Sequence, residues 1–516
     1  MDSQEFRKHG KEMIDFVADY WDTIRERQPL PDVQPGYIWN LMPNEAPKEK
    51  ETWEAIFGDL NKVVVDANTH WHHPHFFAYY PTANSYPAIL GDILSAGLAP
   101  IGFTWKSSPS CTELELVITD WFAKMIGLPS MFLNQDPGPG AGIIQCTASD
   151  STLVALLAAR ARAVKLHSQG QSWMGKLWKS DIVNKSWQLI QKHSSISNGS
   201  QAAHDSAKMI NPDSSLFPRL VAYCSDQAHS SVDKAALLAG VKMRKLQTSR
   251  GSNYSLKGET LAAAIKEDRA QGLIPFYVVA TVGTTPTCAV DDVASLGKIC
   301  QPEGIWLHVD AAYAGSAAVC PEYRYLTAGT ELVDSFNFNA HKWLLVNFDC
   351  SPMWFRDATE AEAYFSVDPL YLKHEHQNTA ADYRHLQIGL GRRFRSLKAW
   401  FVIRSMGISG LQTHIRSMCV LAQRFADLVA ADSRFEIPAP VHLGLVCFRL
   451  KGENAASEKL LKLINEDRRI HLVPAKAHDI YFLRLAICST KTTSDDILFA
   501  WKVICELTER VHEDII

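Results

Sequence analysis

The chain has 516 residues, of which 47% are hydrophobic, so it holds enough apolar material for two or three domains. Its net charge is −4 and no basic block stands out, which gives no indication of binding to nucleic acid or to an anionic membrane. The N-terminus lacks the apolar core of a signal peptide, no run of about 18 uncharged apolar residues occurs, and the eleven cysteines form no C-x-x-C pair, so we expect a cytoplasmic protein with reduced thiols.

The first segment, residues 1–85, reads as helices interrupted by Pro and Gly. Helical patterns cover Phe6 to Arg27 and Trp53 to Asn68. The segment is too small and too amphipathic to stand alone.

The middle of the chain, residues 86–397, alternates short apolar runs with helical patterns. This alternation predicts βα units around a mainly parallel sheet. The last part, residues 398–516, mixes helices with short strands and predicts a small α+β domain. The predicted strands include Leu220 to Cys224, Phe276 to Ala280, Ile305 to Val309, Val333 to Phe338, Leu445 to Leu450 and Phe482 to Ile487.

A glycine-rich run precedes a helix start in the first βα unit. The run Gly138 to Gly142 indicates backbone that approaches a ligand closely, and Cys146-Thr147-Ala148-Ser149 opens a helical pattern that continues to about Lys165. Thr or Ser at a helix start caps free N–H groups, and the same helix end attracts phosphate. Plain capping is the structural alternative.

Two predicted strands end in residues of opposite charge. Asp310 closes the run Ile305 to Val309, and Lys342 follows the run Val333 to Phe338 by four residues. Taken singly, the aspartate could cap the next helix and the lysine could be a surface charge. Together they suit an enzyme of pyridoxal 5′-phosphate (PLP), whose aldehyde binds a lysine amine and whose protonated ring nitrogen pairs with a carboxylate. The small residues after Asp310 would let a flat cofactor approach the backbone.

Several segments together resemble the group II PLP-dependent decarboxylases. They include Ser225-Asp226-Gln227-Ala228-His229-Ser230-Ser231, His308-Val309-Asp310-Ala311-Ala312-Tyr313-Ala314-Gly315, Asn339-Ala340-His341-Lys342-Trp343 and Gly391-Arg392-Arg393-Phe394-Arg395. The resemblance is strongest to the aromatic-L-amino-acid decarboxylases of animals, and it runs almost end to end. It breaks at one insertion, about residues 168–217, which is rich in Ser, Gln, Lys and Asn, and whose tail 194–206 is predicted to be disordered. We interpret the insertion as a surface loop rather than a regulatory element.

The resemblance implies an α/β protein of PLP fold type I. Its large domain would hold a mainly parallel, seven-stranded type of sheet, followed by the small C-terminal domain. The N-terminal helical segment would serve dimerisation, in a homodimer with shared active sites.

The resemblance also implies roles for residues around the cofactor. His229 would stack on the ring, Asp310 would pair with its nitrogen and Lys342 would bind its aldehyde. Ala148 and Ser149 would hold the phosphate. The further cofactor contacts implied are Thr147, Thr285, Asn339 and His341.

Tyr371 matches the tyrosine of a mobile loop in the family. A phenol brought in by loop closure could return a proton to Cα of the substrate while water is excluded. The polar run Lys373 to Asp382 independently favours a mobile loop.

Two aromatic-rich clusters and one glycine are predicted, by resemblance, to line the substrate side-chain pocket with His229. Core packing is the structural alternative for most of them. No metal site is expected, because the histidines between His70 and His75 lack a ligand set at metal spacing. The predicted pocket residues are Trp71, Tyr79, Tyr80, Pro81, Thr82, Ile101, Phe103 and Gly391.

The sequence therefore predicts decarboxylation of aromatic L-amino acids to arylethylamines. The alternatives are an aromatic acetaldehyde synthase, a histidine decarboxylase and a non-catalytic binding protein on the same fold. His229 and Tyr371 argue against the synthase, whereas Tyr80 recurs in aldehyde-forming relatives. Ala340 stands where the family has proline, and Leu386 where it has tryptophan, so the pocket could be reshaped.

Overall fold

The computed structural model describes residues 1–168, 214–367, 369–376 and 380–513. They form two compact units, one of residues 1–83 and 413–516, the other of residues 84–412. The predicted insertion lies outside the described residues except at its two ends. Within the described ranges, no helix combines the length and the apolar character needed to cross a membrane.

The α-helices and strands are numbered here in chain order. The α-helices are α1 Ser3–Asp22, α2 Trp53–Leu60, α3 Tyr86–Leu98, α4 Pro109–Ile126, α5 Ala148–Ser168, α6 Ser230–Ala239, α7 Gly258–Ala270, α8 Val293–Glu303, α9 Ala340–Trp343, α10 Ala358–Phe365, α11 Arg395–Ala431, α12 Asn454–Asp467 and α13 Ser494–Glu513. The strands are β1 Ala141–Gln145, β2 Leu220–Ser225, β3 Lys242–Leu246, β4 Ile274–Thr281, β5 Trp306–Asp310, β6 Ser335–Asn337, β7 Ser351–Phe355, β8 Phe435–Glu436, β9 Leu445–Leu450, β10 Val473–Ala477 and β11 Ile480–Ala486.

A seven-stranded sheet of order β1-β7-β6-β5-β4-β2-β3 forms the centre of the larger unit. Strands β3, β2, β4, β5 and β6 are parallel, and β7 runs antiparallel to both of its neighbours. Strand β1 therefore points the same way as the parallel set. All residues of β2 and β5 are buried, which explains their continuous apolar runs. The carboxyl ends of six strands consequently meet at one edge of the sheet, where open α/β sheets bind ligands.

The helix α5 packs on this sheet through its apolar side chains. Val154, Ala155 and Ala158 belong to one buried cluster with residues of β2, β4 and β5. The Tyr277 hydroxyl of β4 donates to the Thr152 carbonyl at 3.3 Å. These contacts fix the N-terminus of α5 beside the strand ends.

The smaller unit contains an antiparallel sheet of order β10-β11-β9-β8, with α12 and α13. Residues from the N-terminal segment join it: Phe77 N–H donates to the His471 carbonyl, and Ala486 N–H donates to the Phe77 carbonyl, both at 3.0 Å. Asp496 of α13 binds the Arg25 guanidinium at 2.7 Å.

The contacts group the chain differently from the three predicted parts. The divisions between the two units follow residues 83 and 412, whereas the predicted boundaries follow residues 85 and 397; residues 397 and 412 both lie inside α11. Residues 1–83 pack with the C-terminal part because of the hydrogen bonds just described. The dimerisation role of the N-terminal segment stays a prediction.

The buried histidines make stability depend on pH. Burial lowers the pKa of His72, His73, His308 and His471 to about 4 and that of His341 to about 3, from an ordinary value of 6.5. Below about pH 6.5 these histidines therefore bind protons in the unfolded chain but stay neutral in the folded chain. The stabilisation is complete above pH 6.5 and is lost as the pH falls toward 4, by about 1.4 kcal/mol per pH unit for each histidine.

We expect urea unfolding to give a clearly lower free energy of unfolding at pH 5 than at pH 7.5. His471→Gln should reduce the slope of the free energy of unfolding against pH by the equivalent of about one bound proton. His376→Gln, at a histidine whose side chain is 47% exposed, serves as the control for the change of residue type. Equal stability at the two pH values would contradict the prediction.

Candidate active site

Asp310 and Lys342 lie at neighbouring strand ends, as predicted. Asp310 is the last residue of β5, is 4% exposed, and lies opposite Asn337 of β6 and Thr281 of β4. Its Oδ1 accepts the Ala312 N–H at 3.0 Å. Lys342 is the third residue of the four-residue helix α9, which begins three residues after β6 ends.

His229 follows β2 and caps α6. The Ser231 N–H donates to His229 Nδ1 at 3.1 Å, so the neutral ring carries its proton on Nε2. Burial lowers the pKa of His229, the Lys342 ammonium also lowers it, and the Asp310 carboxylate raises it. The structure therefore brings these three groups into one site, although they are up to 113 residues apart in the chain.

The phosphate-attracting helix end lies at the start of α5. The Thr147 hydroxyl donates to Asp150 Oδ2 at 2.7 Å, and the Asp150 N–H donates back to Thr147 Oγ1 at 3.1 Å. The Thr147 side chain is thus used for capping, as the structural alternative supposed. Ser149 is exposed, and the free N–H groups of a first helical turn suit a phosphate.

Asn339 connects the lysine segment to this helix end. The Ser351 hydroxyl donates to Asn339 Oδ1 at 2.7 Å and lies 3.4 Å from Ser151 Oγ in α5. Because Oδ1 accepts from Ser351, the amide Nδ2 is directed elsewhere as a donor. The predicted contacts Asn339 and Ser149 therefore belong to one end of the site.

Thr285 differs from its neighbours in the loop after β4. Thr284 is buried, and its hydroxyl accepts the Ala289 N–H at 3.0 Å, whereas Thr285 is exposed. Gly283 has φ +90°, and a Cβ there would lie 2.6 Å from the Ala314 Cβ. Only glycine fits this turn. The Thr285 side chain, two residues later, is exposed and can meet a ligand.

The residues present fit PLP. An amine, a buried carboxylate and an imidazole lie together, and a helix N-terminus with an exposed serine lies at the other end of the same sheet edge. Among the small residues after Asp310, Gly315 is packed closely: a Cβ there would lie 2.6 Å from the Phe338 Cβ and 3.0 Å from the Ala311 Cβ. This glycine serves core packing. That the small residues after Asp310 let a flat cofactor approach the backbone stays a prediction.

His341, a predicted cofactor contact, faces the backbone. Its Nδ1 accepts the Cys350 N–H at 2.8 Å, and its ring lies edge-on to Phe348 with centroids 4.9 Å apart. Its role toward the cofactor stays a prediction.

Tyr371 lies in a short 3-10 helix, Leu370–Leu372, and is 76% exposed. Ile101 and Gly391 are brought together: a Cβ on Gly391 would lie 3.8 Å from Ile101 Cγ2. Phe103 is half-buried on the same segment as Ile101.

The remaining predicted pocket residues belong to the smaller unit. The Trp71 ring stacks on Tyr79 with centroids 5.2 Å apart, and the Arg484 guanidinium lies 4.9 Å from the Tyr80 ring centre. Their role in the pocket, with that of Pro81 and Thr82, stays a prediction.

Comparison with known proteins identifies the family. The model of the pyridoxal-dependent decarboxylase conserved domain matches residues 35–203 and 197–451. The chain belongs to the pyridoxal-dependent decarboxylases. An aromatic-L-amino-acid decarboxylase of Drosophila melanogaster is 49% identical over 514 residues, covering 100% of this chain and 93% of that relative.

Solved structures of the family share the fold. The Oryza sativa TDC with PLP and tryptamine has a TM-score of 0.88 and 33% identity, and the Rhodiola rosea 4-hydroxyphenylacetaldehyde synthase has a TM-score of 0.85 and 35% identity; each match covers 99% of both chains. The predicted PLP fold, the PLP cofactor and the decarboxylase class are therefore confirmed.

Two residues with no predicted role also reach the site. Ser351 gave no local signal, because it lies on the antiparallel strand β7 and meets Asn339 only in the folded sheet. Arg395, from the quoted Gly-Arg-Arg-Phe-Arg run, donates to Cys146 Sγ at 3.0 Å and pairs with Asp349 at 2.8 Å. It adds a cation beside the start of α5.

Proposed function

We propose that this chain decarboxylates aromatic L-amino acids to arylethylamines. The observation that carries the proposal is the meeting of Lys342, Asp310 and His229 at one sheet edge, in a chain 49% identical to an aromatic-L-amino-acid decarboxylase. PLP, when bound, accepts the electron pair that departing CO₂ leaves behind. The chain's own residues hold and orient the cofactor and return a proton to the substrate.

Each residue has a distinct task in this proposal. Lys342 supplies the amine that attaches the cofactor. The buried Asp310 carboxylate holds a proton at the ring nitrogen, and a carboxylate with so little solvent around it does so strongly. His229, oriented by Ser231 through Nδ1, would lie against the ring face and would present its Nε2–H as a donor.

The other end of the site binds phosphate in this proposal. Ser149, the first-turn N–H groups of α5 and the Asn339 amide supply donors, and Thr285 contacts the cofactor from the loop after β4. Tyr371 Oη returns the proton to the substrate Cα. The exposed phenol needs only to be carried to the pocket by its own segment.

A panel of substrates tests the proposed function. DOPA, tyrosine, 5-hydroxytryptophan, tryptophan and histidine are supplied to the holoenzyme, and amine, aldehyde and peroxide are measured together. We expect amine as the main product, with at least one aromatic substrate preferred over histidine by about tenfold in kcat/KM. Predominant aldehyde would instead support the synthase alternative, and a preference for histidine would overturn the aromatic assignment.

The variant Gly391→Ser tests whether the pocket at this position selects between aromatic substrates and histidine. The added Cβ has room, since its nearest neighbour is Ile101 Cγ2 at 3.8 Å, and the hydroxyl narrows the pocket and can bind an imidazole. The ratio of kcat/KM for the aromatic substrates to kcat/KM for histidine should shift toward histidine. Gly251→Ser is the matched control, because its Cβ also meets its nearest atom at 3.8 Å, in an exposed turn.

We also propose a homodimer. Helix α3 exposes an apolar face of residues spaced by three, four, seven and eight, each 42–62% exposed, and such a face on an isolated chain favours a partner subunit. This face consists of Tyr86, Leu90, Ile93, Leu94 and Leu98.

Sedimentation tests the dimer. The protein should have twice the mass of its 57.6 kDa chain. Ile93→Glu combined with Leu94→Glu should yield monomers, whereas Leu498→Glu, on a 40% exposed leucine of α13, should not. A fully active monomer of the unmodified chain would refute the proposal. The cytoplasmic location stays a prediction.

A further inference from the structure

A buried polar chain lies behind residues 389–391. The Glu115 carboxylate of α4 is completely buried, accepts the Ile144 N–H at 2.7 Å and pairs with Arg392 Nη2. Arg392 Nη1 in turn donates to Gln387 Oε1 at 2.5 Å. We call Glu115, Arg392 and Gln387 the Gln387 clamp.

The clamp determines which way the Gln387 amide points. A guanidinium has donors only, so the amide oxygen must face Arg392. The Nε2 group is then turned toward the main chain, where it donates to the Gly389 carbonyl and, at 3.3 Å, to the Leu390 carbonyl. One amide therefore holds two successive carbonyls just before Gly391.

The same segment is held from its other side. The Gly102 N–H donates to the Arg392 carbonyl at 3.3 Å, and the position of Gly391 leaves 3.8 Å between an added Cβ and Ile101 Cγ2. Both Ile101 and Gly391 are exposed, in contrast to the buried clamp. The Gln387 clamp consequently determines the separation of Ile101 and Gly391 without contacting the pocket side of either residue.

A buried ion pair of this kind stabilises little by itself, because desolvation offsets the attraction. Its geometric effect is larger: the Arg392 guanidinium is held by Glu115 and by the Tyr383 ring, 4.7 Å from its Cζ, so it presents Nη1 to Gln387 in one direction. The fixed Nη1 in turn fixes the direction in which Gln387 Nε2 donates to the Gly389 and Leu390 carbonyls.

We propose that Gln387 is a positioning residue for substrate selectivity. Arg392 and Glu115 orient its amide, and the amide holds the main chain just before Gly391. This contact sets the distance between Gly391 and Ile101, and that distance determines which size of substrate aromatic ring is accepted better. This inference rests on the proposed function and deepens it.

Gln387→Glu tests the inference. The variant keeps an acceptor for Arg392 but presents a carboxylate oxygen to the two carbonyls, which repels them. We expect the kcat/KM ratio of 5-hydroxytryptophan to tyrosine to move by about fivefold or more toward the larger ring, with unchanged cofactor absorbance. Gln412→Glu is the matched control, because Gln412 Nε2 donates to the Val319 carbonyl at 2.9 Å, away from this segment.

The outcomes separate the inference from a purely structural role. If Gln387→Glu loads cofactor but keeps the ratio within about twofold of the unmodified enzyme, the inference is overturned. If that variant does not fold, Gln387→Met, which keeps the volume and loses the donor, is judged by the same criterion. The unmodified enzyme is assayed first on the whole panel. If it forms amine from none of the aromatic substrates, the proposed function fails and this inference with it.

Discussion

Replacing Lys342 by alanine is expected to abolish amine formation, with a loss of at least about 10²–10⁴-fold in kcat. The lysine is the only predicted group that can attach the cofactor's aldehyde, and its ammonium charge also acts on His229. Reduction of the unmodified holoenzyme with borohydride should fix the cofactor to Lys342, as read by peptide mass spectrometry. The variant should carry no label there.

Lys242→Ala is the control for this experiment. Lys242 is an exposed lysine of the edge strand β3, and its removal should leave both the label and the activity intact. A label found on any other lysine of the unmodified enzyme would show that the assignment of Lys342 is wrong.

Tyr371→Phe is expected to lower amine formation by about 10²–10⁴-fold, the usual contribution of a positioned general acid. The change keeps the ring and removes only the phenolic proton, so the free energy of unfolding should stay the same for a side chain that is 76% exposed. Without a proton donor at Cα, slow aldehyde formation with consumption of O₂ should appear. Amine, aldehyde and O₂ are measured in one assay.

Tyr325→Phe is the control, because it removes another exposed phenol, 55% exposed, and should leave the product ratio unchanged. Undiminished amine output from Tyr371→Phe would mean that another group protonates Cα. In that case the decarboxylase family would stand and the role of Tyr371 would fall.

The local sequence was sufficient for the parts of the site that belong to single segments. The run Ile305 to Val309 ends at a charged residue, so Asp310 could be assigned to a strand end without any structure. Lys342 could be assigned beside the next strand because it follows the run Val333 to Phe338 by four residues. The cap at Thr147 and Asp150 is also local, because its two hydrogen bonds span three residues. The family resemblance then supplied the cofactor and the decarboxylase class, and both were confirmed.

Only the tertiary structure decided which of these segments support one another. Ser351 meets Asn339 because β7 reverses direction beside β6, and Gln387 acquires its orientation from Glu115, 272 residues earlier in the chain. Gly315 is one of several small residues after Asp310, and only the fold shows that it packs against Phe338. Strand periodicity and helix caps depend on neighbours in the sequence, whereas the partner of a buried polar group or of a missing Cβ depends on which distant side chain the packed sheet brings within reach.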